Sequence, residues 1–355
     1  MNSLFVACLS FFFVSFAVAA DRRPTFCTDD VSKCQKVAPS KVNITCVAPK
    51  TGSSCIKDVM NGDADFTLAT ANNMVDNSGS LTIIQSLKFK NIENYVQYYG
   101  LAVVKKGTTF NFTQLKGENS CHTGVGKTVG WVIPVGYLLY TKEMTYTDNQ
   151  YKSVADFFGK SCAPGIGGIS KASQAVKDEL CSLCTGNCTT DGPFAGYEGA
   201  FKCMADGNKD RVGFVKQDTA GKVLGSGSGP YGNMADYRLL CTDGTSQTLD
   251  KYKDCNIGTR PASALVTGKG NSVGTINAIR SILQNANTTD LINGGIVDSK
   301  TEDLVDYSGT VEKYVEPYAK YKNALVMNVP DSAASSILAT FALQFVAILA
   351  FAFQS

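Results

Sequence analysis

A single histidine, His122, occurs in the 355 residues. One imidazole cannot build a metal-protease helix or a multi-histidine zinc site, so both are excluded. A Ser-His-Asp triad built on His122 has no support, and the chain is not expected to be an enzyme. Net charge is also scarce. The formal value is +2 at pH 7, which gives no concentrated basic face of the kind nucleic-acid partners select. Internal repeats and long low-complexity tracts are missing too. The run GSGSGPYGN at 225–233 reads as an exposed loop.

The two ends are apolar. Residues 1–20 end in small side chains before Asp21 and read as a secretory signal peptide, although their first residues carry no positive charge. Residues 337–353 form a second apolar run, followed only by Gln354 and Ser355 and preceded by the small residues of 331–336. With no Lys or Arg beyond it, this run fits a GPI-attachment signal at 329–355 that is removed, in preference to a retained transmembrane anchor. Cleavage of the leader removes Cys8 and leaves twelve cysteines, an even number suited to disulfides in an exported chain. The sequons at Asn43, Asn111 and Asn287 agree with export and are expected to carry glycans. A fourth, at Asn187, has Cys188 at its centre. The expected location is the outer face of the plasma membrane, reached through the secretory pathway.

Hydrophobic residues make up 44% of the chain, enough for one or two cores. Candidate strands are DFTLA (65–69), YYGLAVVKK (98–106), RVGFVK (211–216) and ALVTG (264–268). Near 275–283, Ile276, Ile279 and Leu283 recur at helical spacing. Strands alternating with helices argue for α/β layers.

The stretch SCHTGVGKTVGW (120–131) ends in Gly-Lys-Thr like a phosphate loop. That pattern needs Gly at 121, where Cys stands, so nucleotide binding is not expected. Small residues before a helix start still leave backbone N–H groups free for an anion, with Thr123 and Lys127 close by. A tight turn before a helix is the equal alternative. The cluster Cys181, Cys184, Cys188 reads as disulfides ahead of zinc. Most of the fifteen tyrosines read as packing residues, but Tyr98 and Tyr197 have unusual settings. Tyr98 opens a strand and Tyr197 sits among glycines in AGYEGAFKC. A phenolate becomes an ordinary ligand near neutral pH only beside a strongly charged cation.

Taken together, SCHTGVGKTVGWVIP, DFFGKSCAPG, YEGAFKC, RLLCTDGT and DCNIGTRPASALV resemble the transferrin family in order and spacing. The resemblance covers about residues 27–321, the length of one lobe. It implies an α/β fold of two subdomains around a cleft, the transferrin-lobe or periplasmic-binding-protein-like architecture. Subdomain 1 would be 21–98 plus 262–328 and subdomain 2 would be 99–261, with hinge strands near Tyr98 and Pro261. It implies the pairings Cys27–Cys55, Cys34–Cys46, Cys121–Cys203, Cys162–Cys184, Cys181–Cys188 and Cys241–Cys255. It implies Fe³⁺ held by Tyr98 and Tyr197 with a synergistic carbonate on Thr123, Lys127 and the N–H groups of Val129 and Gly130. Lys127 stands where the family has arginine, which keeps the charge and loses the planar fork. The aspartate ligand position reads Ala69 and the histidine position reads Ser263, so two metal donors are lost. Asn72, Asn73 and Asp65 lie near the lost aspartate in sequence. The implied function is a monomeric, lipid-anchored ferric-iron binder of altered affinity, served by a surface receptor or reductase. The alternative is a metal-free adhesion or receptor module on the same fold.

Overall fold

The computed structural model describes residues 22–227 and 229–326. The leader at 1–20 and the tail at 329–355 lie outside the described residues. Thirteen strands are described. They are β1 (Thr25–Cys27), β2 (Thr45–Val47), β3 (Phe66–Ala69), β4 (Leu81–Phe89), β5 (Val96–Lys105), β6 (Asn119–His122), β7 (Ser161–Cys162), β8 (Arg211–Lys216), β9 (Tyr237–Leu240), β10 (Ser246–Gln247), β11 (Gly258–Pro261), β12 (Ala264–Gly268) and β13 (Thr301–Val305).

They form two mixed sheets. The first runs β13-β4-β12-β3-β1-β2 and the second β10-β9-β5-β8-β6-β7, with β11 pairing to β5. The chain crosses from the first sheet to the second between β4 and β5, and returns between β11 and β12. At that double crossing β5 and β11 run antiparallel, with Arg260 opposite Tyr98 and Thr259 opposite Tyr99. The register is irregular between Arg260 and Pro261, where proline removes a backbone donor.

All four candidate strands form. The strand through Tyr98 starts two residues earlier, at Val96. It is apolar almost throughout because both its faces are covered. Side chains alternate between those faces. Tyr99, Leu101 and Val103 enter one core. Ala102 and Val104 enter the other, and Tyr98 packs against its edge together with Val129, Trp131 and Ile133. The period of the strand therefore decides which way Tyr98 faces.

The expected helix extends over Val273–Asn285, with Ile279 and Leu283 buried and Ile276 packed at the core margin. The last described helix, Val311–Ala324, spans both halves. Tyr314 and Val315 pack with the first sheet, whereas Tyr318 and Tyr321 pack with the second. Among the described residues no helix is long and apolar enough to cross a membrane.

Six disulfides pair the twelve cysteines as the resemblance implies. Cys121–Cys203 ties β6 to the helix Gly196–Asp206. These two elements carry Thr123 and Tyr197 at their ends. Asn43 and Asn287 are exposed and Asn111 is partly so.

Candidate functional site

The loop after β6 leads into a helix whose first turn, Thr128–Val132, is π-type and continues as the α-helix Ile133–Tyr140. The first N–H groups of any helix have no partner within it. Here those of Val129 and Gly130 face this shortage with no partner among the described residues, while Trp131 and Val132 donate to the Lys127 carbonyl at 2.9 and 3.0 Å. Thr123 is 4% exposed, and its Oγ1 is buried without a hydrogen-bond partner. A buried hydroxyl left unpaired is costly. An oxyanion at this place would satisfy it together with the two N–H groups. Gly130 is required for the fit, because a Cβ there would collide with the Thr123 side chain and backbone nitrogen.

The loop is anchored from beneath by His122, which is fully buried. Its Nδ1 lies 2.6 Å from the Gly130 carbonyl and its Nε2 lies 2.9 Å from Ser120 Oγ. A carbonyl only accepts, so Nδ1 carries the proton and Nε2 accepts from Ser120. Burial pushes the imidazole pKa down to about 4. His122 is therefore a neutral fastener. One Gly-x-Ser-x-Gly string occurs, at 270–274, but Ser272 caps the helix after β12, its Oγ accepting from the Thr275 N–H at 3.1 Å. Among the described residues no triad forms around His122, whose ring nitrogens face Ser120 and the Gly130 carbonyl.

Thr123 also reaches Tyr197. Its carbonyl accepts from the Gly196 N–H at 2.9 Å, and Gly196 takes a positive φ of 73° to start the helix that carries Tyr197. Thr123, Lys127, Tyr98, Tyr197, Asn72 and Arg260 line one cleft of about 530 Å³. The structure thus brings together both phenols and the loop expected to hold an anion. Burial pushes the Tyr197 pKa well up. Tyr98 adds to that through its charge and hydrogen bonding, and the Arg260 cation opposes it. Unless a cation is held beside it, Tyr197 therefore stays protonated near neutral pH. On its far side the Tyr197 ring carries Lys216, whose Nζ is 4.7 Å from the centroid and pairs with Asp218 at 3.3 Å.

Neither lost-ligand position lines this cleft. Ala69 is fully buried and Ser263 is 9% exposed. Ala69 pairs with Ala264 where β3 meets β12. Of the nearby polar residues, Asn72 reaches the cleft, and its Oδ1 accepts from the Tyr318 hydroxyl at 2.9 Å. Asn73 caps its own helix. Asp65 pairs with Arg22 at 3.0 Å and accepts from Thr25. Among the described residues no group of three or more His, Cys, Asp or Glu is arranged to hold a metal ion.

The residue missed from the sequence is Arg260. Its Nη1 donates to Thr128 Oγ1 at 2.7 Å and its Nε to Gln97 Oε1 at 3.1 Å. Its guanidinium carbon is 5.9 Å from the Tyr98 ring centroid and 5.7 Å from that of Tyr318. Only strand register, which sets it opposite Tyr98, reveals that it shares the cleft.

Two α/β halves joined by a double crossing, with polar groups converging between them, define a two-subdomain cleft architecture. The chain belongs to the transferrin family, whose model, described as "Transferrin", matches residues 14–291. It is 45% identical over 175 residues to serotransferrin of Gadus morhua, covering 48% of this chain and 25% of that protein. It is 37% identical over 238 residues to serotransferrin of Mus musculus, covering 66% and 32%. It is 34% identical over 246 residues to ovotransferrin of Gallus gallus, covering 66% and 33%. The chain spans about a quarter to a third of the length of these relatives. The solved structure of transferrin 1 from Manduca sexta superposes with a TM-score of 0.65 at 23% identity, over 84% of this chain and 52% of that one. Family membership agrees with the expectation of a binding protein and not an enzyme.

Proposed function

We propose that the cleft captures ferric iron together with carbonate, with Tyr98 and Tyr197 as phenolate ligands. The observation that carries this reading is the buried, unpartnered Thr123 Oγ1 in the same cleft as both phenols. Fe³⁺ is a hard cation that prefers anionic oxygen donors, and metal charge deprotonates ligands that would otherwise stay neutral. Carbonate on Thr123 and the N–H groups of Val129 and Gly130, with Lys127 nearby, would complete four oxygen donors with the two phenolates. Ala69 and Ser263 supply none, so affinity and release are altered. Residues 21–98 with 262–328, and 99–261, act as the two subdomains of one lobe. The chain works as a glycosylated, lipid-anchored monomer on the outer cell surface, alongside a receptor or reductase.

Purified protein given ferric iron and bicarbonate develops a phenolate-to-iron absorption band, and Tyr98→Phe abolishes it. A correctly folded protein that gives no band overturns the reading. The burial of Ala69 and Ser263 away from the cleft favours a second reading, a metal-free adhesion or receptor module. Equal partner binding by wild type and a Tyr98→Phe/Tyr197→Phe variant would select that one.

A further inference from the structure

The helix that follows β3 belongs to the first half by connection and touches the second half by its side chains. It spans Ala71–Asp76 and begins two residues after Ala69. Met74 is fully buried in the core of the first half. Ala71 is fully buried in the core of the second, the one that holds Trp131, Tyr318 and Tyr321. Val75 packs against both. Residues four apart share one face of a helix. Asn72 and Asp76 stand four apart, and so do their partners, Tyr318 and Lys322. Asn72 Oδ1 accepts from the Tyr318 hydroxyl at 2.9 Å, and the Asp76 carboxylate pairs with Lys322. Two helix faces thus meet in register over one turn.

The partner end is fixed to the second half. There the helix Val311–Ala324 lies so close to the helix Ile133–Tyr140 that a Cβ at Gly136 would collide with the Tyr321 carbonyl. A Cβ at Gly258, on β11, would press on the Tyr321 ring. The contacts across the halves differ in weight. The Asp76 side chain is 59% exposed, so its ion pair is screened by water and salt and adds little. The buried Ala71 and the hydrogen bond of the buried Tyr318 carry more.

The entry to the crossing is held as well. Tyr95, just before β5, takes a φ of 69°, which few residues other than glycine adopt. Its ring lies 5.2 Å from that of Tyr307 and 5.9 Å from that of Tyr314, and its hydroxyl donates to the Asp306 carbonyl at 2.8 Å. Its own carbonyl accepts from the Ala262 N–H at 2.9 Å, just after β11. Rotation at this point would break those contacts.

We infer that the helix Ala71–Asp76 is a latch, which docks on the second half through protein groups alone and keeps the two halves together without metal. The resemblance gives position 69 the task of tying the first half to the ion, and that position reads Ala. The helix beside it makes the tie directly. No ligand atom takes part, so the inference stands apart from the ferric reading.

The test uses the purified full chain in detergent, stripped of metal by a chelator, so that no iron enters. Hydrogen exchange read by mass spectrometry follows residues 71–76 and, as a control, the buried interior of β8 at 212–215. A helix of 6 residues has little stability of its own, so its protection reports docking. Tyr318→Phe/Asp76→Asn removes both polar links and keeps the side-chain sizes. It is expected to exchange about tenfold faster at 71–76, with β8 unchanged. Ala71→Arg drives a wedge between the halves. It is expected to show the same local acceleration and to raise the radius of gyration above the compact value of about 20 Å, measured by neutron scattering with the detergent contrast-matched. If the wedge variant does not fold, the double variant decides alone. Wild type that is already extended without metal, or a double variant that exchanges like wild type, overturns the latch. An equal acceleration in β8 overturns it too, because the loss would then be global.

Discussion

Protonation of a single side chain should govern how this protein responds to mild acid. His122 is the one imidazole in the chain, and burial lowers its pKa from the ordinary 6.5 to about 4. Between those values the unfolded chain takes up a proton that the native state refuses. Where the unfolded state binds more protons, stability rises with pH. The contribution is therefore intact above pH 6.5 and is lost as pH falls toward 4. A separation of about 2.5 pH units is worth about 3 kcal/mol once pH 4 is reached, and about 1 kcal/mol is already lost by pH 5.5. For a chain of this size that is a fall of about 2 °C in unfolding temperature. The lowered carboxylates, Asp58 and Asp156 among them, lose their contribution further down, below their ordinary range. Glu118 and Glu143, raised by burial, act in the opposite sense and gain stability as pH falls, so the difference between wild type and His122→Gln from pH 7 to 5.5 isolates the imidazole. The assay is thermal or urea unfolding followed by the fluorescence of Trp131, which is fully buried with its ring 5.3 Å from that of His122. Wild type should lose about 1 kcal/mol across the window relative to His122→Gln, whatever the absolute stability of the variant. An identical slope in the two proteins would refute the linkage. It would also remove the reason to regard the floor of the anion loop as acid-sensitive.

Two other perturbations follow from the same geometry. Gly130→Ala forces a methyl into Thr123 and should cost about 1–3 kcal/mol as overpacking. Denaturant unfolding should report that loss, and titration should show a weaker bicarbonate dependence of any ferric band. Replacing Cys121 and Cys203 together by Ala opens a bridge with a sequence separation of 82. On the chain-entropy account it should cost about 4.5 kcal/mol, read as a lower unfolding midpoint, and should dim any ferric band by loosening Thr123 from Tyr197.

Much of the site was legible because its parts are local. The turn residues, the hydroxyl and the helix start of the anion loop are consecutive in SCHTGVGKTVGW. Tyr98 faces the cleft because the period of one strand decides it, and the six bridges came with the family resemblance. What escaped was set by pairing between distant segments. Arg260 is 162 residues from Tyr98 in sequence and becomes its neighbour through the β5–β11 register. Asn72 and Asn73 are adjacent in sequence, yet one enters the cleft and the other caps a helix, because a helix turns successive side chains about 100° apart.

This distribution bears on how the cleft would work. Of its lining residues, Tyr98, Thr123, Lys127, Tyr197 and Arg260 all stand on the second sheet's half or on the crossing strands, and Asn72 represents the first half. With an alanine in place of a ligand from the first half, a captured ion would gain little from drawing the two halves together. On the ferric reading, retention would then depend on the groups of one face, the two phenols and the anion loop. The neutral His122 beneath the same face adds a dependence on pH that does not require an imidazole ligand. On the ferric reading, the departures at Ala69 and Ser263 would shift control of the site from closure to charge.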